Sequence, residues 1–397
     1  MSKRIGDAYR PLVRSTTSPL LLHVTTVDMS LELLLGPQLR AFRAAGYDVA
    51  GVSAPGPYVE GLEADGICHI PLHHARRSFS LLADVKAFCE LYRIFKRLRP
   101  DIVHTHNPKT GVFGRIAARM ARVPLVVNTQ HGLYAQNTDG WKRKCACYGL
   151  ERLAACFSHV ELVQNEEDLA TLRRLRVPAA KLKLLGNGID LARFNPGRFT
   201  AADQAWARLE LGARTPQDLV VGCVARLVQE KGILELIDAA EQVMKAHGHV
   251  RFAVIGPRGD EDSPDIVAAL QKAERLGIRL LGGRGDVDRL YTGMDLFVLP
   301  SHREGFPRSV MEASAMGLPV VGTRIRGMRQ AIRDGETGML VPIGDPAALA
   351  AAITTFIVDP DQLVGMGRSG RHRAQTCFDD ATQVAHTLIQ YRRDHAN

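Results

Sequence analysis

The chain has 397 residues, of which 46% are hydrophobic and 23% charged, which is typical of a globular protein with about two domains. Its seven cysteines are odd in number and form no C-x-x-C motif, which argues against a disulfide framework or a zinc ribbon and favours a reducing, cytoplasmic compartment. No run of about 18 apolar residues predicts a membrane span. Residues 1–18 are basic and polar, so we expect a loose arm rather than a signal peptide.

The net charge of +9 is unevenly distributed along the chain. Residues 1–200 carry 28 Lys and Arg against 17 Asp and Glu, whereas residues 201–397 carry 23 against 25. A basic first half predicts an anionic partner, which could be a phosphate group, an acidic membrane surface or a nucleic acid. No aromatic platform or recognised reader motif accompanies the basic residues, so no nucleic acid is expected as a partner.

Short apolar runs alternate with amphipathic helical patterns, as in parallel α/β folds. In the first half, the apolar runs predict strands at 20–27, 48–53, 101–106, 124–130 and 159–164. Helical patterns occur at 30–45, 80–98, 109–122, 142–156 and 166–175. Residues 186–199 are rich in Gly, Asn and Pro, and we interpret them as a linker between domains.

The same alternation begins again after the linker. Strands are predicted at 218–225, 250–256, 278–283, 295–301 and 318–323. Helices are predicted at 230–246, 263–276, 308–317 and 346–357. The last 35 residues also have a helical pattern.

These patterns predict an α/β protein of two doubly wound, Rossmann-like domains that face each other across a cleft, with C-terminal helices. We expect the N-terminal domain at 19–190 and the C-terminal domain at 191–375. A final helix at 376–397 is expected to pack back on the N-terminal domain. Because ligands bind outside the carboxyl ends of the strands in such sheets, the cleft is the expected site.

The segment 301–323 contains two glutamates around a predicted strand-to-helix turn. Glu304 lies in the loop after the strand, and Glu312 lies about one and a half turns into the helix, whose first turn suits Pro307. Two carboxylates at this spacing can contact one extended ligand at two points, such as a sugar hydroxyl and a ribose. A glycosidase pair is a rival interpretation, but it leaves the neighbouring cations without a role.

Arg226 and Lys231 flank another predicted turn from a strand into a helix. Cations and free backbone N–H groups at a helix N-terminus favour a diphosphate and could stabilise its departure without a metal. His131 follows a strand of the first half and is expected to face the cleft. Taken singly, such residues are more often solvated charges, helix caps or structural histidines. Together, at matching strand ends, they favour a binding site.

Three other signals receive structural interpretations. Asp286 and Asp288 form a D-x-D motif, but we expect Asp286 to cap a short helix. His104 and His106 are expected to point to opposite faces of their strand and therefore not to share a metal ion. The helix at 84–100 is expected to pack its apolar side on the sheet, the alternative being that its basic residues contact anionic lipid.

Over nearly its whole length the sequence resembles the family-4 retaining glycosyltransferases, which have the GT-B fold. The matching elements are the family's E-x7-E pair, its basic pair, its N-domain histidine and its linker: Glu304 and Glu312, Arg226 and Lys231, His131, and 186–190. Within the family, the segments 104–115, 128–134, 163–169 and 301–308 are similar to the capsular and exopolysaccharide branch.

The resemblance implies an acceptor-side role for the first domain, nucleotide-sugar binding for the second, and a role for each matching residue. Glu304 would contact hydroxyls of the transferred sugar, and Glu312 would contact the ribose. The basic pair would hold the diphosphate, and His131 would approach the sugar or the reacting centre from the other domain. The implied sets are catalytic Glu304, His131, Arg226 and Lys231; donor-binding Arg226, Lys231, Glu304, Gly305, Phe306, Pro307 and Glu312; and acceptor-side Asp28, His106 and Lys109.

Two departures from the family pattern are visible. Gln330 stands where many members have a glutamate, and the loop at 25–36, which usually faces the acceptor, lacks the paired glycines of many relatives. The resemblance therefore says more about the donor than about the acceptor.

The resemblance implies transfer of a hexose or N-acetylhexosamine from a nucleotide-diphosphate sugar, by family habit a UDP-sugar, to a polyprenyl-diphosphate-linked glycan in capsule or exopolysaccharide assembly. No cofactor or metal is expected. The enzyme would be cytoplasmic or peripheral on the inner face of the cytoplasmic membrane. The alternatives are a transferase with a soluble small-molecule acceptor and a nucleotide-sugar epimerase or hydrolase of the same fold.

Overall fold

The computed structural model describes residues 18–76, 78, 80–106, 108–135, 139–259 and 263–393. The chain divides into two units: unit 1 combines Met1–Gly186 with Thr382–Asn397, and unit 2 is Asn187–Ala381. Residues 1–17 of the expected N-terminal arm lie outside the described residues. Each unit is built on one parallel sheet with helices on both faces.

Unit 1 contains a seven-stranded sheet with the order β3-β2-β1-β4-β5-β6-β7. Its strands are β1 Leu20–Val27, β2 Asp48–Ala54, β3 Cys68–Pro71, β4 Ile102–Thr105, β5 Leu125–Gln130, β6 Val160–Val163 and β7 Leu182–Leu184. In the pairing of β1 with β4, His23 lies opposite His104. The strand order reverses between β1 and β4, which is where ligands bind in such sheets.

The helices of unit 1 follow the strands in alternation. They are α1 Gly36–Ala44, α2 Val59–Ala64, α3 Leu81–Leu98, α4 Pro108–Met120, α5 Trp141–Ala155 and α6 Glu166–Arg174, with a π-helical segment Ser30–Leu35 before α1. Helix α6 begins where the side chain of Asn165 accepts a hydrogen bond from the backbone N–H of Asp168, a typical N-cap.

Unit 2 contains a six-stranded sheet with the order β10-β9-β8-β11-β12-β13. Its strands are β8 Leu219–Val224, β9 Val250–Ile255, β10 Arg279–Leu280, β11 Leu296–Leu299, β12 Val320–Thr323 and β13 Gly338–Val341. Here the order reverses between β8 and β11.

The helices of unit 2 are α7 Ala201–Glu210, α8 Ile233–Ala246, α9 Pro264–Leu276, α10 Val287–Tyr291, α11 Arg308–Ala315, α12 Met328–Ala331, α13 Pro346–Val358 and α14 Pro360–Cys377. Short 3₁₀ turns occur at Pro196–Arg198 and Gln229–Lys231. The last helix, α15, spans Asp380–Arg393, and its residues from Thr382 onward belong to unit 1.

Both faces of the unit 1 sheet are buried, which explains its nearly continuous apolar strands. On one face, Leu21 packs in a cluster with Phe42 of α1 and Tyr391 of α15. On the other face, Leu22 packs in a cluster with Phe95 of α3. Because full burial of one such side chain contributes about 1.5–3 kcal/mol, the sheet depends on helices on both faces, including α15.

Three strands were not predicted from the sequence: β3, β7 and β13. Strands β3 and β7 have four and three residues and are half-buried at the sheet edges, and β13 is a four-residue edge strand. Such short edge strands lack the long apolar run that marks a central strand. The predicted interior strands are confirmed, with bounds shifted by one or two residues.

No single helix among the described residues is both long and apolar enough to cross a membrane. The bent pair α13 and α14, with 102° between its members, meets the length and composition criteria only when the two helices are taken together.

Candidate active site

In unit 2, the loops after β8 and β11 meet at the point where the strand order reverses. The backbone N–H of His302 donates to the carbonyl of Glu230 at 2.8 Å, which ties the two loops together. Gly232 has φ +70°, and a Cβ at this position would lie only 2.0 Å from the carbonyl oxygen of Pro300. Only glycine therefore permits this close approach of the loops.

Lys231 and Glu304 form an ion pair between these two loops. The Lys231 ammonium donates to Oε1 of Glu304 at 2.6 Å, and the Ser301 hydroxyl donates to the same oxygen at 2.8 Å. The side chains of Lys231 and Glu304 are 20% and 10% exposed. Oε2 of Glu304 has no hydrogen-bond partner among the described residues. A cation and a carboxylate oxygen thus lie side by side at the edge where ligands bind in sheets of this kind.

Arg226 is the second residue after β8 and is half-buried near the same edge. Within the described ranges, its guanidinium has no hydrogen-bond or ion-pair partner, whereas its carbonyl accepts from the N–H of Val228 at 2.9 Å. A half-buried guanidinium is suited to bidentate recognition of a phosphate.

Glu312 lies on the fifth residue of α11, about one and a half turns along, as the sequence predicts. The buried hydroxyl of Tyr291 donates to its Oε2 at 3.1 Å. Burial raises the pKa of Glu312, and the charge of Arg308 and the hydrogen bond from Tyr291 oppose this rise. Pro307 is the residue just before α11 rather than part of its first turn, because the helix begins at Arg308.

The backbone of the loop 304–307 is held from two sides. The side-chain amide of Asn187 donates to the carbonyl of Phe306 at 3.0 Å. A Cβ on Gly327, which has φ +80°, would lie 2.4 Å from the carbonyl oxygen of Gly305. Phe306 is 8% exposed, and its ring packs edge-on against that of Phe378, with ring centroids 5.6 Å apart. The loop therefore offers its backbone, not the phenyl ring, to a ligand.

In unit 1, four histidines lie close together, two within β1 and β4 and two just after β4 and β5. His131 follows β5, and its Nε2 is 2.9 Å from Nδ1 of His106. Nε2 of His106 is in turn 2.9 Å from Nδ1 of His23. The prediction that His104 and His106 point to opposite faces is wrong, because residues two apart in a strand share a face. Their ring centroids are 4.3 Å apart.

His23, His104 and His106 have potential metal-ligand atoms within 4.8 Å of one another. However, hydrogen bonds engage most of their ring nitrogens: Nδ1 of His104 pairs with the Tyr391 hydroxyl at 2.5 Å, and its Nε2 pairs with Thr129 at 2.7 Å. Burial lowers the pKa of all three imidazoles, that of His23 to about 3. The cluster is therefore best described as a network of neutral, hydrogen-bonded rings.

The two other residues of the predicted acceptor side lie apart from this network. Asp28 is buried, and its carboxylate accepts from the backbone N–H of Tyr58 at 2.8 Å. Lys109 forms an ion pair with Asp84 at 2.5 Å and donates to the carbonyl of Ser78 at 2.7 Å. Asp28 is thus engaged with the segment after β2, and Lys109 with the first turn of α3 and the residues before it.

Comparison with known proteins agrees with this geometry. Residues 218–359 match the family described as "Glycosyl transferases group 1", and residues 35–188 match the "Glycosyl transferase 4-like domain". The chain is 31% identical to the UDP-Gal:alpha-D-GlcNAc-diphosphoundecaprenol alpha-1,3-galactosyltransferase of Escherichia coli, over 78% of this chain and 79% of that protein. The chain belongs to the family-4 glycosyltransferases.

Other similar proteins include two further glycosyltransferases and a solved structure. The capsular polysaccharide biosynthesis glycosyltransferase CapM of Staphylococcus aureus is 29% identical over 90% of this chain and 93% of its own length. The D-inositol 3-phosphate glycosyltransferase of Corynebacterium efficiens is 30% identical over 69% and 67%. The crystal structure of HepE from Anabaena with UDP and glucose has a TM-score of 0.79 at 22% identity, covering 94% and 99% of the two chains. The last similarity shows the shared GT-B fold.

One residue that supports the site of this family-4 glycosyltransferase was not identified from the sequence. Asn187 was interpreted only as part of the linker, although its amide holds the carbonyl of Phe306. The signal was present in the G-N-G segment, where an amide between two glycines has little packing value of its own. Asp286 does occupy the position before α10, but its carboxylate pairs with Arg284 at 2.8 Å and makes no capping hydrogen bond.

Unit 1 also contains an apolar cavity of about 560 Å³ that the sequence did not reveal. Helices α3, α4 and α5 line it, with Phe88, Val112, Ile116 and Tyr148 among the wall residues. Leu81 at its edge is 82% exposed. Lys109 also lines the cavity and is paired there with the lining residue Asp84. Near the lining residue Tyr134, Arg143 lies 5.2 Å from its ring centroid and pairs with Asp139 at 3.4 Å.

Proposed function

We propose that this protein is a retaining glycosyltransferase that transfers a hexose or N-acetylhexosamine from a UDP-sugar to a polyprenyl-diphosphate-linked glycan in capsule or exopolysaccharide assembly. The observation that carries the proposal is the ion pair of Lys231 with Glu304 at the strand reversal of unit 2. This site lies within the segment that matches the group 1 glycosyltransferases.

The proposed donor chemistry follows from these charges. Arg226 and Lys231 stabilise the negative charge that develops on the diphosphate as the bond between the anomeric carbon and the phosphate oxygen breaks. A new bond forms between that carbon and the acceptor hydroxyl oxygen, whose proton moves to the departing phosphate oxygen. Two fixed cations can supply this stabilisation without a metal ion, so we expect full activity in the presence of EDTA.

Glu304 and Glu312 orient the two ends of the donor in this proposal. Oε2 of Glu304 accepts from hydroxyls of the transferred sugar, while the carboxylate of Glu312 accepts from the ribose. The hydrogen bond from the Asn187 amide to the carbonyl of Phe306 keeps the backbone of 305–307 in place beside the sugar. A UDP donor is favoured because the structural relative HepE was solved with UDP and glucose.

The apolar cavity of unit 1 supports a lipid-linked acceptor. A polyprenyl diphosphate carries a long apolar chain, and the walls of the cavity are apolar side chains of the kind that such a chain packs against. The galactosyltransferase relative is named for a diphosphoundecaprenol acceptor. We therefore place the enzyme at the inner face of the cytoplasmic membrane, where such an acceptor is available.

A soluble acceptor is the second candidate, and the similarity to a D-inositol 3-phosphate glycosyltransferase favours it. An inositol phosphate has the anionic group that a basic site binds, but it has no chain to fill an apolar cavity. The two candidates therefore differ in whether unit 1 must bind an apolar chain.

The experiment uses purified protein with labelled UDP-, GDP- and ADP-sugars. Each donor is offered with polyprenyl-diphosphate glycans of short and long chain or with inositol phosphate, and the label is followed into the organic and aqueous phases. Label from one UDP-sugar in the lipid fraction, with the anomeric configuration of the donor kept in the product, supports the proposal. Label in an inositol glycoside supports the second candidate.

Glu304→Gln is the control variant for this assay, since it keeps the size of the side chain and removes its charge. Loss of label with this variant ties the transfer to the proposed site. Consumption of the donor with no acceptor product, by contrast, would replace both candidates with a nucleotide-sugar epimerase or hydrolase. The absence of donor consumption with all three nucleotides would remove the donor assignment.

A further inference from the structure

Three imidazoles form an unbroken chain from the interior of unit 1 to the end of β5. His23 is 0% exposed and His106 is 1% exposed, whereas His131 is half-buried. Nδ1 of His23 is 2.9 Å from Nε2 of His106, and Nδ1 of His106 is 2.9 Å from Nε2 of His131. Every link in the chain is therefore a direct ring-to-ring hydrogen bond.

The charge state of the inner rings constrains these bonds. Burial lowers the pKa of His23 to about 3 and that of His106 well below its usual value, with the neighbouring imidazoles adding to the effect on His106. Both rings are therefore neutral near pH 7, and each has one N–H donor and one lone-pair acceptor. As a result His106, which bonds through both nitrogens, must donate at one and accept at the other. The two hydrogen bonds must then run in the same direction along the chain.

The inner end of the chain decides that direction. Nε2 of His23 is buried and has no hydrogen-bond partner in the part of the chain that the structure describes. If the chain ran inward from His131, this nitrogen would carry a buried N–H without an acceptor. If it runs outward, the nitrogen carries only an unpaired lone pair. Orphaned buried N–H groups are rarer than under-satisfied acceptors, so the outward direction is favoured.

The groups packed around the chain do not reverse this direction. The ring of His104 lies 4.3 Å from that of His106, but its two nitrogens pair with the Tyr391 hydroxyl and with Thr129. On its other side, His23 stacks on the apolar ring of Phe42, with centroids 5.4 Å apart. No carboxylate among the described residues hydrogen-bonds to His23 or His106.

We propose that His106, supported by His23, is a positioning residue that holds His131 as the tautomer with its proton on Nδ1. In this arrangement Nδ1–H of His23 donates to His106, Nδ1–H of His106 donates to Nε2 of His131, and Nδ1 of His131 keeps the remaining proton. This inference rests on the proposed function, in which His131 approaches the transferred sugar.

The consequence for the reaction is specific. With Nε2 engaged and Nδ1 protonated, His131 acts as a neutral hydrogen-bond donor and not as the base that removes the acceptor proton. A neutral donor suits an uncharged sugar hydroxyl, and it leaves the departing phosphate oxygen as the group that takes the proton. His106, which the family resemblance implied as an acceptor-side residue, instead acts through His131.

The first test measures the tautomer directly in the full-length wild-type protein. Imidazole ¹⁵N NMR distinguishes a protonated Nδ1 from a protonated Nε2, and loss of signals in His131→Gln assigns the His131 ring. We expect Nδ1 of His131 to carry the proton at pH 7.5 without any ligand. A proton on Nε2 overturns the proposal. Because no substrate is present, this result does not depend on whether the proposed function is correct.

The second test compares two variants of nearly equal size, His106→Asn and His106→Leu. The Asn amide can donate to His131 in place of Nδ1–H, whereas Leu cannot. We expect His106→Asn to keep most of the kcat and the His131 tautomer. We expect His106→Leu to lower kcat by roughly 10- to 100-fold, by analogy with the groups that orient metal-binding histidines, with little change in the donor KM.

Equal kcat values for His106→Leu and wild type would overturn the positioning role. Equal losses in both variants, with the His131 tautomer unchanged, would overturn it as well, because the loss would then be purely structural. If neither variant folds, the wild-type NMR measurement still decides the direction of the chain. If wild type transfers no sugar from any donor, the proposed function fails while the tautomer result stands.

Discussion

The two points of strand reversal differ in their chemistry. In unit 2, Lys231 and Glu304 are charged and still partly exposed, at 20% and 10%. In unit 1, His23 and His106 are fully buried, and burial keeps them neutral by lowering their pKa values. In the proposed function, the fixed charges stabilise the departing diphosphate, whereas the neutral rings support a contact with an uncharged sugar. The same α/β architecture thus provides an electrostatic site in one unit and a hydrogen-bonding site in the other.

The largest effect is expected from removing the cation of unit 2. Lys231→Ala deletes the charge next to Glu304 and should lower kcat by about 10²–10³-fold, the loss typical of one electrostatic transition-state contact. Steady-state kinetics with saturating donor measure this change. Lys245→Ala is the matched control, because this lysine is 72% exposed on α8. A kcat within a few-fold of wild type would contradict the role of Lys231.

The next effect concerns the apolar surface of unit 1. Leu81→Glu places a charge at the edge of the cavity and should raise the KM for a long-chain polyprenyl acceptor roughly tenfold, since burying one leucine is worth about 1.5–3 kcal/mol. The KM for a short-chain acceptor should change little. Leu209→Glu on α7, where the leucine is 70% exposed, is the control. An equal KM for both chain lengths in wild type would remove the cavity from acceptor binding.

A third prediction uses the carboxylate of Glu312. Glu312→Gln should weaken UDP binding roughly tenfold, because hydrogen bonds to charged groups contribute about 1.5–3 kcal/mol. Titration calorimetry measures this affinity. The donor affinity of wild type should also fall as the pH decreases through the raised pKa of Glu312 and the carboxylate becomes protonated. A pH-independent affinity in wild type would argue against a contact from this carboxylate.

The same variant should affect stability in the opposite direction. Because burial raises the pKa of Glu312, the folded protein binds its proton more tightly than the unfolded chain does. Its ionisation therefore destabilises the fold as the pH rises through the two pKa values, and the cost is fully present above both. Glu312→Gln should raise Tm at pH 8 but not at pH 4. A lower Tm at pH 8 would show that the Tyr291 hydrogen bond to the carboxylate outweighs burial.

The smallest effect is expected in the neutral network of unit 1. Tyr391→Phe removes the hydroxyl that bonds to Nδ1 of the buried His104. Chemical denaturation should show a loss of about 1–2 kcal/mol, the cost of leaving a buried polar group unpaired. The kcat should remain that of wild type, since Tyr391 bonds to His104, which is not part of the chain from His23 to His131. A change in kcat without a change in stability would contradict a purely structural role for the Tyr391 hydroxyl.

Much of the fold could be predicted because buried parallel strands leave a strong signal. The segments that form β1 and β8 are apolar along most of their length, so central strands of both sheets could be predicted from the sequence. The edge strands β3, β7 and β13 were missed because only three or four residues of each pair with a neighbour. Short pairing depends on tertiary contacts that no local pattern records.

The candidate site was predicted unevenly for a similar reason. Lys231 and Glu304 belong to motifs at strand ends, and such motifs can be recognised from the sequence alone. The contact of Asn187 with Phe306 joins residues 119 positions apart, so no spacing rule could indicate it. The two-residue period of a strand places His104 and His106 on the same face, so the prediction of opposite faces was avoidable. The apolar cavity arises from three helices that only the folded sheet brings together.

The return of α15 to unit 1 has a consequence for the synthesis of the protein. The residues from Thr382 onward complete the cluster that contains Phe42 and Tyr391, yet they follow the whole of unit 2 in the sequence. At about 5–20 residues per second, a ribosome needs roughly 10–40 s to translate the intervening segment. During that time one apolar face of unit 1 stays uncovered, while unit 2 can already fold. Although most of unit 1 is translated first, its core is therefore completed last.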